Sequence, residues 1–257
     1  MLQVNDLHFS YSRRRGEVLR GLELTLPQGQ VGILLGKNGC GKTTLFKTLL
    51  GIEKPGRGSV RFDGQELMQL TPRQRARLVA YVPQHIHFGN LSVYDSVLMG
   101  RISYFGSKAG REDREAVDAI LEEMGLTDFA GRNAEELSGG EKQKIAIARA
   151  LAQEPRLLIF DEPTGNLDMA NEQLIIREAR RLAESRGITI LSSLHDLNQA
   201  LQMGDRFYLM RDGVIRYAGG REILNPETIR EVLDIDIRIL DIDGETVIIG
   251  GKNHETA

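Results

Sequence analysis

The chain has 257 residues and a single cysteine, so no intramolecular disulfide can form. One thiol in a chain of this length fits a reducing compartment. No stretch approaches the ~18 apolar residues of a membrane-crossing helix. Work at a membrane is therefore expected to go through a partner. Neither sign of charge dominates: the net charge is −3, which gives no overall electrostatic case for nucleic acid or an anionic bilayer. The local basic run Arg13-Arg14-Arg15 is short and reads as a solvated loop. The first residues, Met1-Leu2-Gln3-Val4-Asn5-Asp6, lack a basic region followed by an apolar one, and no cleaved leader is expected. There is no internal repeat and no low-complexity segment. What remains is ordinary for a globular protein, with 41% hydrophobic and 27% charged residues. That suffices for one large α/β domain or two small lobes with a sizeable core.

Periodicity divides the chain into alternating strands and helices. Residues 1–35 read as strands: 22–26 alternates apolar and polar, and Val31-Gly32-Ile33-Leu34-Leu35 is a continuous apolar run suited to burial on both faces. A helix is expected over 43–50, with Gly51 as its stop. Then come a strand over 59–63 turning at Asp63-Gly64, a helix over 73–78 after Thr71-Pro72, and a buried strand over 78–82 cut off by Pro83. Residues 85–110 read as loops and short helices. Helices follow over 112–124 and 141–152, a strand over 157–160, a helix near 171–186 and a strand over 188–191. A helix near 196–203 leads to strands over 206–210 and 214–218. The tail, 235–250, reads as a hairpin turning at Asp243-Gly244. Such alternation predicts a mainly parallel sheet.

Three short stretches carry chemistry. Gly36-Lys37-Asn38-Gly39-Cys40-Gly41-Lys42-Thr43, between a strand and a helix, fits the phosphate-cradling pattern G-x-x-x-x-G-K-[ST]. Its glycines let backbone N–H groups converge on phosphate oxygens, and the helix adds its positive end. Lys42 can reach the β- and γ-phosphates, and the Thr43 hydroxyl suits Mg²⁺. Leu157-Leu158-Ile159-Phe160-Asp161-Glu162 ends a buried strand in two carboxylates. Ligands in open α/β sheets bind at strand carboxyl ends, and two acids would be costly as core residues. The pair suits a Mg²⁺ ligand and a neighbouring general base. Between them lies Leu137-Ser138-Gly139-Gly140-Glu141, where Ser138 is a good N-cap for the helix that follows.

That third stretch, continuing into Lys142-Gln143-Lys144-Ile145-Ala146-Ile147-Ala148-Arg149-Ala150-Leu151, resembles the signature of the ATP-binding cassette (ABC) family, and the resemblance runs from end to end of the chain. It implies an α/β P-loop NTPase (RecA-like) core with a mainly parallel sheet, an N-terminal antiparallel β subdomain and an inserted α-helical subdomain. The implied limits are 1–84 and 155–222 for the nucleotide-binding core, 85–154 for the helical signature subdomain and 223–257 for a C-terminal tail. It implies an ATPase that binds ATP and Mg²⁺. Tyr11 matches the aromatic that stacks on adenine. Gly36, Asn38, Gly39, Cys40, Gly41, Lys42, Thr43 and Thr44 fall in the nucleotide loop, with Lys42 also catalytic. Asp161 helps hold Mg²⁺, with Thr43 and Gln84. Glu162 is the candidate base, Gln84 senses Mg²⁺ and the attacking water, and His195 is the switch histidine at the γ-phosphate. Ser138, Gly139 and Gly140 point at the ATP of the opposite subunit, so the active unit is a head-to-tail dimer. Asp168 lies in the loop that communicates across it. Gly165 stands where the family more often has Ser.

Cys40 occupies a position that is more often Ser. Beside Lys42 and a helix N-terminus its thiol is expected to be exposed and acidified, open to alkylation that ATP blocks; a small filler without special reactivity is the alternative.

One motif set and a gap of roughly 120 residues between the acidic pair and the phosphate loop, with no sustained heptads, set aside two-cassette translation factors and coiled-coil chromosome ATPases. Leu91-Ser92-Val93-Tyr94-Asp95-Ser96-Val97-Leu98-Met99-Gly100-Arg101 resembles the helical subdomain of importers of metal chelates (siderophore iron, haem, cobalamin), matching at Val93, Asp95, Val97, Gly100 and Arg101. That resemblance implies a peripheral subunit at the cytoplasmic face of the cell membrane. Its partners would be separate permease subunits, with an extracytoplasmic binding protein acting indirectly and no nucleic acid involved. The alternative is a soluble single-cassette ATPase assisting iron–sulfur cluster assembly.

Overall fold

The computed structural model describes residues 1–12, 16–165 and 167–250; the basic run Arg13-Arg14-Arg15 and Asn166 lie outside them. Two sheets organise these residues. Strands β1 (Leu2–Phe9), β2 (Leu19–Leu26), β4 (Arg57–Phe62) and β5 (Gln65–Glu66) form an antiparallel sheet in the order β2-β1-β4-β5. The main sheet combines β3 (Val31–Leu35), β6 (Val79–Val82), β7 (Leu157–Asp161), β8 (Thr189–Ser193), β9 (Arg206–Arg211) and β10 (Val214–Gly219). Its order is β10-β9-β3-β8-β7-β6, parallel except for β10. This is the expected α/β architecture, with the antiparallel sheet drawn from chain on both sides of β3 and flanking the parallel one.

Helix α1 (Lys42–Leu49) follows β3, and α2 (Pro72–Leu78) precedes β6. Between β6 and β7 the chain leaves the sheet to build a helical lobe: α3 (Val93–Leu98), a 3₁₀ segment Met99–Ser103, α4 (Arg111–Glu123) and α5 (Gly139–Leu151). Helices α6 (Met169–Arg186), α7 (Leu197–Met203) and α8 (Pro226–Leu233) complete the set, and β11 (Ile237–Ile242) pairs with β12 (Glu245–Gly250) as a separate hairpin. Helix α8 has no counterpart in the sequence reading, although Asn225 caps it and Pro226 opens it.

The all-apolar strands are buried on both faces because the main sheet separates two apolar clusters. Side chains alternate across a strand. Leu34, Leu157 and Ile159 therefore join the cluster built with α1 and the antiparallel sheet, around Phe46 and Phe62. Ile33, Leu158 and Phe160 join the opposite cluster with the helical lobe and α6, around Val117, Ile145 and Ile175. All of these side chains are fully buried. The carboxyl ends of β3 and β7 are thereby fixed side by side across β8.

Candidate functional site

The loop after β3 turns straight into α1. Gly41 has φ +114, a value open to glycine, and lets the chain reverse against the first helical turn. Helix α1 has neither a side-chain cap nor an acid in its first turn, so its leading N–H groups are left for an anion. Lys42 is 6% exposed and folds back over the loop, donating to the carbonyls of Gly36 (2.6 Å) and Lys37 (3.3 Å). A cleft of about 530 Å³ opens here, lined by Tyr11, Val18, Asn38, Gly39, Gly41, Lys42, Thr43, Thr44, Gln84, Glu162 and His195. Tyr11 is half exposed, packs edge-on against Phe9 and shares a 3.2 Å hydrogen bond with Thr44.

The two acids at the end of β7 have different surroundings. Asp161 is 5% exposed and accepts from Ser193 Oγ (2.8 Å), Tyr81 Oη (3.2 Å) and Thr43 Oγ1 (3.4 Å). Burial and the adjacent Asp161 carboxylate push the Tyr81 phenol well above its ordinary range, keeping it a donor. Glu162 reaches into the cleft, where Oε2 accepts from the Gln84 amide and Oε1 meets His195 Nε2 at 2.5 Å. Its own N–H donates to Ser193 Oγ (3.0 Å). The fold thus brings Lys42, Thr43, Asp161, Glu162, Gln84 and His195 to one place. Sequence reasoning missed Tyr81 and Ser193, which hold Asp161, and Val18 in the cleft wall.

Ser138, Gly139, Gly140 and Asp168 do not line this cleft. Ser138 caps α5, accepting from Glu141 N–H, while the Glu141 carboxylate accepts from Ser138 N–H at 2.8 Å. Asp168 caps α6 and binds both nitrogens of Asn171 at 2.9 Å. A side chain on Gly140 would strike the Asn171 amide, so the two caps lie against each other.

Cys40 departs from expectation. It is buried, 9% exposed, and burial raises its thiol pKa; Lys42 works in the opposite direction and is outweighed. The small-filler alternative describes this thiol.

Residues 19–165 match the family model described as "ABC transporter". An uncharacterized ABC transporter ATP-binding protein of Methanocaldococcus jannaschii is 38% identical, over 97% of this chain and 97% of that one. The hemin import ATP-binding protein HmuV of Bradyrhizobium diazoefficiens is 35% identical, over 96% of this chain and 94% of its own length. Among solved structures, the inward-facing conformation of a metal-chelate type ABC transporter has a chain that superposes with a TM-score of 0.85 at 30% identity, covering 98% of both. With the phosphate loop, the acid pair and the capped glycine stretch all in one fold, the chain belongs to the ABC transporter family, as an ATP-binding cassette whose ATP hydrolysis drives transport.

Proposed function

We propose that the chain is the nucleotide-binding subunit of an importer for a metal chelate (siderophore iron, haem or cobalamin), acting as a pair of copies on a separate permease at the cytoplasmic face of the membrane. The observation that carries this reading is how the run 93–101 is built. Val93 and Val97 are fully buried, and Asp95 N–H donates to Ser92 Oγ at the start of α3. Gly100 lies so close to the Arg149 carbonyl that no side chain fits. Arg101, 6% exposed, binds Asp113 (3.2 Å), Glu154 (2.6 Å) and the Ala152 carbonyl (3.1 Å). The pattern shared with chelate importers is thus the scaffold of the helical lobe. Beside it an apolar groove, with Ile52, Pro72, Ala76 and Gln153 in its walls, offers a seat for a permease segment. The similarity to HmuV and to a metal-chelate type transporter supports the substrate class. Among the described residues no helix is long and apolar enough to cross a membrane, which fits a separate permease.

In this reading the loop amides and Lys42 hold the β- and γ-phosphates of ATP, with Tyr11 against adenine. The hydroxyl of Thr43 and the carboxylate of Asp161, 3.4 Å apart, are hard oxygens that suit Mg²⁺, and the Gln84 side-chain oxygen would join them in holding it. When bound, that ion supplies positive charge against the charge developing on the transferred phosphoryl group. Glu162 takes the proton of the attacking water. Its oxygens are engaged by Gln84 and His195, so one of these contacts is exchanged when water arrives. Ser138, Gly139 and Gly140 of a second copy complete the site, which accounts for their lying outside the cleft. Asp168 links the two sites.

The test is purification of the tagged chain from detergent-solubilised membranes, followed by reconstitution of what copurifies. A multispanning permease whose ATPase rises when a chelate-loaded binding protein is added is expected. A soluble scaffold with no membrane protein would contradict the importer reading and favour cluster assembly.

A further inference from the structure

Helix α2 carries three arginines and no acid. Arg75 turns back to its own lobe, donating to the Leu67 carbonyl at 2.7 Å. Arg73 and Arg77, four residues apart on one helical face, reach the other way. Arg73 donates through Nε to the Ser103 carbonyl (2.6 Å) and through Nη2 to the Tyr104 carbonyl (2.9 Å). Arg77 donates twice to the Ser103 carbonyl, at 3.0 and 2.8 Å. The Tyr104 ring lies between two guanidiniums, Arg77 at 4.4 Å and Arg101 at 3.8 Å from its centroid. Tyr104 Oη donates to the Gln153 carbonyl (2.9 Å), just beyond the last turn of α5. Arg101 holds the same turn through Ala152.

The grip joins the main sheet to the helical lobe. Helix α2 leads directly into β6 of the main sheet, whereas residues 101–104 and α5 belong to the helical lobe. Helix α5 has 13 residues, about 20 Å at 1.5 Å per residue. Its far end carries Ser138, Gly139 and Gly140. A shift at Tyr104 would be carried along this helix towards the signature.

We propose that Arg73, Arg77 and Tyr104 are positioning residues for ATP hydrolysis: they fix the C-terminal end of the signature helix against the nucleotide core and so set where its N-terminal end meets the ATP of the opposite copy. None of them touches the cleft. The proposal rests on the head-to-tail dimer reading, and it separates binding from closure. Loosening the grip leaves the P-loop intact and misplaces the signature.

The test compares the full chain with Arg77→Ala, Arg73→Ala/Arg77→Ala, Tyr104→Phe and Tyr104→Ala. Binding of a fluorescent ATP analogue to the dilute monomer is expected to stay within about twofold. The kcat for ATP is expected to fall about tenfold in Arg77→Ala and Tyr104→Ala and further in the double variant. Tyr104→Phe, which keeps the stacked ring, loses less than Tyr104→Ala. In a Glu162→Gln background, ATP-dependent dimerisation needs about tenfold more protein when Arg77 is Ala. An unchanged kcat, or a loss of monomer nucleotide affinity equal to the loss of kcat, would overturn the proposal. So would equal dimerisation with and without Arg77. Failure of the Glu162→Gln parent itself to dimerise would instead overturn the dimer reading, and this proposal with it.

Discussion

Glu162 sits at φ +50, in the left-handed region that a non-glycine residue enters at a cost of about 1–3 kcal/mol. The Ser193 hydroxyl, which accepts its N–H, holds that turn, and the turn aims the carboxylate at Gln84 and His195 while Asp161, one residue earlier, stays buried. Glu162→Gln keeps the shape and removes the proposed base, so kcat is expected to fall by about 10²–10⁴-fold with ATP still bound; native turnover in a steady-state assay would refute the assignment. Lys42→Ala is expected to abolish nucleotide binding or hydrolysis, and unaltered activity would overturn the phosphate-loop reading. Cys40 is expected to react slowly with a thiol reagent at neutral pH and faster as the solution is made alkaline, because burial raises its pKa. Complete labelling within seconds at neutral pH would contradict this. Glu135 ties the segment after Gln84 to the signature helix. Hydrogen bonds from Lys142 and from the Phe88 N–H hold its pKa down to about 2. A depressed carboxylate pKa contributes stability above its ordinary value, and that contribution is lost as pH falls through the folded value. The gap in stability between the native chain and Glu135→Gln should therefore be present at neutral pH and close as pH approaches 2. A denaturation series across that range checks it, and a constant gap would be contrary.

At the scale of elements, α5 and α6 are locked by their caps. Gly140→Val puts a side chain where the Asn171 amide lies, so that amide must leave its bond with the Asp168 cap; a lowered melting temperature and a reduced ATPase are expected together. The β11–β12 hairpin is held by Ile237 and Ile248, both buried in the core, and by Asn198, whose amide donates to the Ile248 carbonyl (2.9 Å) and accepts from its N–H (2.8 Å), as a neighbouring strand would. A two-stranded hairpin is marginal alone. Asn198→Ala is expected to make 237–250 the first segment cut in limited proteolysis. Most elements were legible because their apolar period and punctuation agree. The helix expected over 43–50 is Lys42–Leu49, and the turn at Asp243-Gly244 joins β11 to β12. Helix α8 was missed because its eight residues are a single amphipathic stretch inside a tail read for its hairpin. Tyr81 and Ser193 were missed for a different reason. They reach Asp161 because β6 and β8 flank β7 in parallel register, Asp161 facing Ser193, and no local pattern encodes which strands become neighbours.

At the scale of the molecule, the main sheet is the common wall of two cores, and the cleft lies at its carboxyl edge. The helical lobe is inserted between adjacent strands β6 and β7, so it is tethered at both ends and packs against the main sheet and α6 in one apolar cluster. The signature stretch was legible as a motif and as a helix cap. That it lies away from the cleft of its own chain follows only from the folded arrangement, and it is what makes a second copy necessary in this account. The most direct measurement is the mass in solution of the Glu162→Gln protein with and without ATP, by analytical ultracentrifugation. One chain without nucleotide and two chains holding two ATP molecules with it is the predicted result. A mass of one chain at saturating ATP, in a protein whose native form hydrolyses ATP, would contradict the account.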